Sequence, residues 1–138
     1  ACPVTQPNGA TPPSERPSSG YHGNGALWTA LWPGGVVHIP AQNVQSDGRL
    51  SMKWPWWRGA EGALTITGRR LDAPAAPLAA SIPDGYGVTG FQATGLLFAS
   101  PGCWEVTGHV GGPASDKMDR TLTFITLVVA DATPVPTR

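Results

Sequence analysis

"SMKWPWWRG", residues 51–59, sets Trp54, Trp56 and Trp57 among Lys53, Pro55 and Arg58. Aromatic rings in such a cluster can stack on sugar rings or dock against another protein, and they can equally form the inside of a fold. Tryptophan is the one functional residue type in excess, at six among 138 residues. A second concentration, "LWTALW" (27–32), divides by strand alternation into Leu27, Thr29 and Leu31 on one face and Trp28, Ala30 and Trp32 on the other. One of those faces must turn away from an inter-sheet core, and tryptophan suits a partly wet face because its N–H wants a partner while its body wants apolar contact. In the first cluster Met52 and Trp54 point the same way, whereas Pro55 is expected to end or bend the ladder and leave residues 56–59 as loop or edge. Trp28, Trp32, Trp56, Trp57 and Arg58 are therefore the candidate binding or assembly residues, with Trp54 expected in the core.

Other residue types offer less. No Gly-x-Ser-x-Gly elbow is present for acyl transfer. Paired carboxylates would have to come from Glu15, Glu61, Glu105 and six aspartates, of which Asp47 in "SDG" and Asp84 in "PDG" stand where turns want them. Glu61 and Glu105 are expected as surface charges. His22, His38 and His109 lack short metal-ligand spacing, and a zinc or copper site would need His38 and His109 on neighbouring strands. In "SDKMD" (115–119) a lysine between two aspartates makes a poor oxygen cage for calcium, so a solvated hairpin loop is expected. Arg69 and Arg70 of "GRRLD" (68–72) face opposite ways on a strand, and one of them is expected to pair with Asp72 on its own face. The expectation is a protein that is not an enzyme and takes no cofactor or metal.

Nine basic and nine acidic residues give a formal net charge of zero, without the basic footprint that nucleic-acid binding requires. No apolar run reaches the roughly 18 to 20 residues that would span a bilayer. The opening Ala-Cys, without an initiator methionine, is what remains after a signal peptide is removed, which predicts an exported protein, secreted or at the cell surface. In that oxidising compartment Cys2 has Cys103 as its partner, and the predicted disulfide is worth about 4 to 5 kcal/mol in the chain-entropy treatment.

Turn-forming residues divide the chain into the scaffold for these side chains. Residues 1–22 are rich in Pro, Ser, Thr and Gly and predict an extended N-terminal arm; 23–131 form one β domain, and 132–138 a C-terminal tail. "ALWTALW" (26–32), "PGG" and "VVHIP" (36–40) predict a hairpin with a glycine turn. Strands are expected at 49–54, 63–71, 90–99, 102–110 and 120–130, while the prolines of "APAAPLAASIP" (73–83) suit an edge or a crossing connection. About seven short strands, and no window with a capped 3.6-residue period, predict an all-β antiparallel sandwich of immunoglobulin-like type. "SPGCWEVTG" is similar to the penultimate strand of many such domains, which puts Trp104 and Val106 inside and Cys103, Glu105 and Thr107 outside. The last strand is apolar on both faces, so it is expected inside a sheet with its outer face covered.

The succession "GNGALWTALWPGG", "GRLSMKWPWWRG", "LTITGRRLDAPAAPL", "IPDGYGVTGFQATGLLF" and "PGCWEVTG" resembles a family of uncharacterised bacterial secreted proteins, often labelled lipoproteins, over residues 21–130. The resemblance implies export and a small β domain, and transfers no activity. Lipoproteins are cut directly before the lipidated cysteine, and Ala1 ahead of Cys2 departs from that pattern. The leading expectation is a structural or adhesive surface module, partnered by itself as a homo-oligomer or filament through the arm or an aromatic face, or by other surface proteins. The alternative is a carbohydrate-binding module that holds a polysaccharide on surface tryptophans.

Overall fold

β-branched and aromatic residues alternate with small polar ones from residue 21 onward, and glycine, proline and aspartate interrupt them every several residues. The computed structural model, which describes residues 1–112 and 117–131, folds these runs into β1 (Tyr21–Gly23), β2 (Leu27–Ala30), β3 (Val36–Ile39), β4 (Leu50–Arg58), β5 (Leu64–Arg70), β6 (Ala79–Ser81), β7 (Gly90–Phe98), β8 (Gly102–Val110) and β9 (Thr121–Ala130). A five-stranded sheet, ordered β1-β2-β4-β7-β6, packs on a four-stranded sheet, ordered β3-β9-β8-β5. The all-β sandwich is as expected, with nine strands rather than about seven among the described residues. The two additional strands are three-residue edges: β1, which takes Tyr21 and His22 out of the arm, and β6, which forms the edge that the proline-rich segment suits. The tail at 132–138 and the first two residues of "SDKMD" lie outside the described residues.

The expected hairpin between β2 and β3 is corrected. β2 lies in the five-stranded sheet and β3 in the four-stranded one, where it runs parallel to β9. Gly34 and Gly35 both take positive φ, 68° and 74°, so "PGG" forms a tight turn that carries the chain from one layer to the other instead of back along its own sheet. The crossing is held by Thr126, whose hydroxyl donates to the Gly35 carbonyl at 2.9 Å.

Between the sheets lies an aromatic core. Trp54 stacks on Phe124 at 5.5 Å and 14°, Trp56 tilts against Phe124 at 6.0 Å, and Phe98 meets the edge of Trp104 at 5.4 Å. Trp104 and Val106 are fully buried, as alternation requires, and β9 lies between β3 and β8 with Leu122, Phe124, Thr126 and Val128 turned inward. Two indole N–H groups would be orphaned in this interior, and two threonines receive them. Trp54 donates to Thr29 Oγ1 at 3.0 Å, and that hydroxyl donates to the Pro55 carbonyl at 2.8 Å. Trp56 donates to Thr94 Oγ1 at 3.1 Å, and Thr94 donates to the Trp54 carbonyl at 2.9 Å.

The arm closes one open side of the sandwich. The Cys2–Cys103 disulfide ties it to β8, with the Cα atoms 5.5 Å apart. Thr5 then continues the edge beyond β3: its N–H donates to the Ile125 carbonyl at 2.9 Å, and its hydroxyl oxygen accepts from the Ile125 N–H at 2.8 Å. Farther along, the Asn8 amide pairs with the Gly23 peptide at 2.7 and 3.1 Å, and the Gly9 N–H donates to the Tyr21 carbonyl at 2.8 Å. The extended arm thus bridges the edges of both sheets. On the opposite side Leu78 is buried against Gly68, to whose carbonyl its N–H donates at 3.0 Å.

The strap has a titratable contact. The Asn8 N–H donates to His22 Nδ1 at 3.1 Å, which requires that nitrogen to be unprotonated, and burial holds His22 below its ordinary value of 6.5. Above that value the ring is neutral in both the docked and the released chain, and the strap is fully held. As pH falls below it, the released chain takes the proton first, so docking weakens through the window down to the folded value. The protection factor at Asn8, taken from NMR amide exchange between about pH 7.5 and 5 and corrected for the intrinsic base-catalysed rate, is expected to fall on acidification in the parent and to lose that dependence in His22→Phe. A protection factor that stays constant across the range would show that His22 does not hold the arm.

Candidate functional site

β4 does not stop at Pro55. It pairs with β7 along its whole length, from Leu50↔Phe98 to Arg58↔Gly90, and with β2 from Arg58 to Trp56 only. Proline is tolerated because it stands one residue beyond the end of the β2 ladder, where no donor is required, and its carbonyl is satisfied by Thr29. Alternation therefore runs unbroken through the cluster. Trp54 and Trp56 enter the core, Arg58 follows them on that face, and Lys53, Pro55 and Trp57 share the outer one.

This corrects the expectation for most of the candidate contact residues. Trp56 is wholly buried; Trp57 is 8% exposed, with Tyr21 and Phe91 against its ring at 5.4 and 5.6 Å. Trp28 also lies on the outer face but is 9% exposed, because its ring is laid over Gly23 and Gly59, where any Cβ would run into it. Arg58 is buried and binds the loops at the end of the sandwich: Nη1 donates to the Gly62 carbonyl at 3.1 Å and Nη2 to the Gly87 carbonyl at 2.6 Å. Trp57 Nε1, Arg58 Nε and Gln92 Oε1 are buried without a partner. Trp32 alone of these five is half-buried, and its ring is tilted against Trp54 at 4.2 Å and 38°.

Where β2 leaves β4 beside Pro55, a notch of about 450 Å³ opens. Leu31, Trp32 and Pro33 form one wall, Lys53 and Pro55 the other, and Phe91 and Ala93 extend it across β7. A second hollow of about 270 Å³ adjoins it over Ala93 and Gly95, bounded by Tyr86 and Ser81. A third, about 480 Å³, continues to Asn43, Gln45, Ser51 and Leu97. Lys53 lines all three, so they form one cleft across the outer face of the five-stranded sheet. Between the rims its floor over β7 and β6 is formed by Ala93, Gly95, Ala79 and Ser81, with the larger Leu97 at one end. Its rim carries Trp32, Tyr86 and Phe91, the last 47% exposed and set edge-on to Tyr86 at 5.9 Å. Comparison with protein-family models, curated proteins and solved structures finds no match to this chain.

The remaining candidates are dispersed. His38 on β3 and His109 on β8 are separated by β9, opposite Val129 and Thr121, so they are not on neighbouring strands. His38 Nδ1 lies 3.5 Å from Asp131, and His109 Nδ1 2.9 Å from the Thr121 hydroxyl. Arg70 pairs with Asp72 at 2.7 Å on its own face, and Arg69 with Glu105 at 3.0 Å on the other. The Asp72 carboxyl is held below the usual range by Arg70 and by the Cys103 N–H, and through it the arginine steadies the strand that carries the disulfide. Among the described residues no three His, Cys, Asp or Glu side chains gather as a metal site would need.

Sequence patterning does not single out Lys53, Tyr86, Phe91, Gly95 or Ser81 for binding. Lys53 and Phe91 do have a local signal, since each alternates with core residues and must face outward. Their convergence depends on the register of β4, β7 and β6, which the chain does not state locally.

Proposed function

We propose that this chain is a non-catalytic extracellular binding module, and that a polysaccharide strand lies in the cleft across its five-stranded sheet. The observation that carries the reading is the convergence of three hollows on Lys53, with aromatic rings at the rim and small residues on the floor. A sugar ring presents an apolar C–H face, which suits Trp32 and Phe91, and a girdle of hydroxyls, which suits Lys53, Ser51, Ser81 and Asn43. The small floor lets an extended polymer approach the strands closely. Three joined hollows fit a chain of repeating units better than a compact ligand. The disulfide accords with an oxidising compartment. The arm's Thr5, Asn8 and Gly9 spend their hydrogen-bonding groups within their own chain, which favours the polysaccharide over assembly by strand donation.

Affinity electrophoresis and calorimetry against a panel of soluble polysaccharides test this. Trp32→Ala and Phe91→Ala are each expected to weaken binding by about ten- to thirtyfold, as removal of an aromatic anchor does. Val88→Ala, which removes an exposed apolar residue away from the cleft, is the control expected to bind as the parent does. Binding to no polymer, or equal binding by all three variants, would overturn the assignment.

A further inference from the structure

Among the described residues Lys53 is the only charged one that lines the three hollows, and no carboxylate is among those that line them. Arg49, Arg69 and Arg70 are each ion-paired within 3.0 Å, whereas no carboxylate among the described residues pairs with Lys53. Its position across the strands is specific. Lys53 is opposite Gly95 on β7, and Gly95 is opposite Ser81 on β6, so a cation, a gap and a hydroxyl stand in one row over roughly 10 Å of sheet. A Cβ at Gly95 would meet only the Ser81 Cβ, at 3.8 Å, so the place above Gly95 in the middle of the row is open.

We propose that this row is a carboxylate subsite, and that the polysaccharide held by the cleft is acidic, built from uronic acid units. A carboxylate seated over Gly95 accepts from the Lys53 ammonium on one side and from the Ser81 hydroxyl on the other. That arrangement compensates the cation with a charge-assisted hydrogen bond, which a neutral sugar hydroxyl cannot match. The floor residue matters as much as the lysine, because any side chain at Gly95 occupies the place the carboxylate takes. This inference rests on the polysaccharide reading and narrows it to one ligand class.

The test compares polygalacturonate, alginate and hyaluronate with methyl-esterified polygalacturonate, dextran and xyloglucan by calorimetry at low and high salt. The parent is expected to bind at least one uronate polymer about tenfold or more tightly than any neutral one, with affinity falling as salt rises. Lys53→Gln should remove that preference, and Lys53→Arg should retain most of it. Gly95→Val, on ordinary strand backbone at a site with room for a Cβ, should fold with an unchanged melting temperature yet lose uronate binding. Equal affinity for charged and neutral polymers, or a preference that survives Lys53→Gln, overturns the carboxylate subsite and leaves the polysaccharide reading standing. Failure to bind any polymer in the panel overturns both.

Discussion

Replacing Cys103 with serine is expected to lower the unfolding free energy by about 4 to 5 kcal/mol, the largest single effect foreseen in this molecule. The Cys2–Cys103 bond spans 101 residues, so breaking it returns to the unfolded chain nearly the full freedom of a loop as long as the domain. The native state loses as well. The arm's bonds to Ile125, Tyr21 and Gly23 then depend on an untethered segment, and when it leaves, the edge of β9 beyond β3 and the edge of β1 lie open to water and to other chains. Against a total of about 5 to 15 kcal/mol for a domain of this kind, the loss leaves a marginal fold. Guanidinium denaturation checks it: Cys2→Ser, Cys103→Ser and the double variant should share one lowered midpoint, because each breaks the same bond. A reductant should bring the parent to that midpoint, and an unmoved midpoint would refute the strap's contribution.

Much of this fold is local in origin. β5, β7, β8 and β9 lie where apolar alternation places them, Trp104 and Val106 turn inward by parity, and the proline-rich segment supplies an edge strand. Two cysteines in one chain leave one intramolecular pairing, and it forms. The departures share a different cause, since each depends on a neighbour distant in sequence. Whether "PGG" reverses a strand or carries it to the second layer depends on β9, whose Thr126 holds the Gly35 carbonyl. Whether Pro55 breaks a strand depends on where β2 ends, because a missing N–H matters only where a partner carbonyl waits for it.

The same dependence explains why the tryptophan cluster misleads. Three indoles in four residues suggest display, yet a strand that continues through Pro55 divides them by parity: two to the core, and one to an outer face where Tyr21 and Phe91 roof it. The cleft arises as a by-product of that continuity. The β2 ladder ends at Trp56, one residue short of Pro55, and the gap beyond it becomes the end of the cleft beside Trp32. Phe91 and Lys53 present the surface that the tryptophans do not.

Trp54 is where core and cleft meet, and Trp54→Ala is expected to cost about 3 to 5 kcal/mol, the range for removing a buried tryptophan. Its ring is 1% exposed and touches Trp32, Phe98 and Phe124, so truncation leaves a cavity between two sheets that are held apart by other aromatic residues and cannot close on it. Trp32 loses the ring it packs against, and polysaccharide affinity should fall together with stability. The hydrogen bond can be separated from the packing. Trp54→Phe keeps most of the ring and removes the N–H, while Thr29→Val keeps the shape and leaves that N–H buried without an acceptor, at about 1 to 3 kcal/mol. In the Trp54→Phe, Thr29→Val double variant the orphaned donor is gone, so the combined cost should be about 1 kcal/mol less than the sum of the single costs. Strict additivity in urea denaturation would mean that Thr29 acts through the Pro55 carbonyl alone; the expected coupling would make it the residue through which the core tryptophan secures the strand that shapes the cleft.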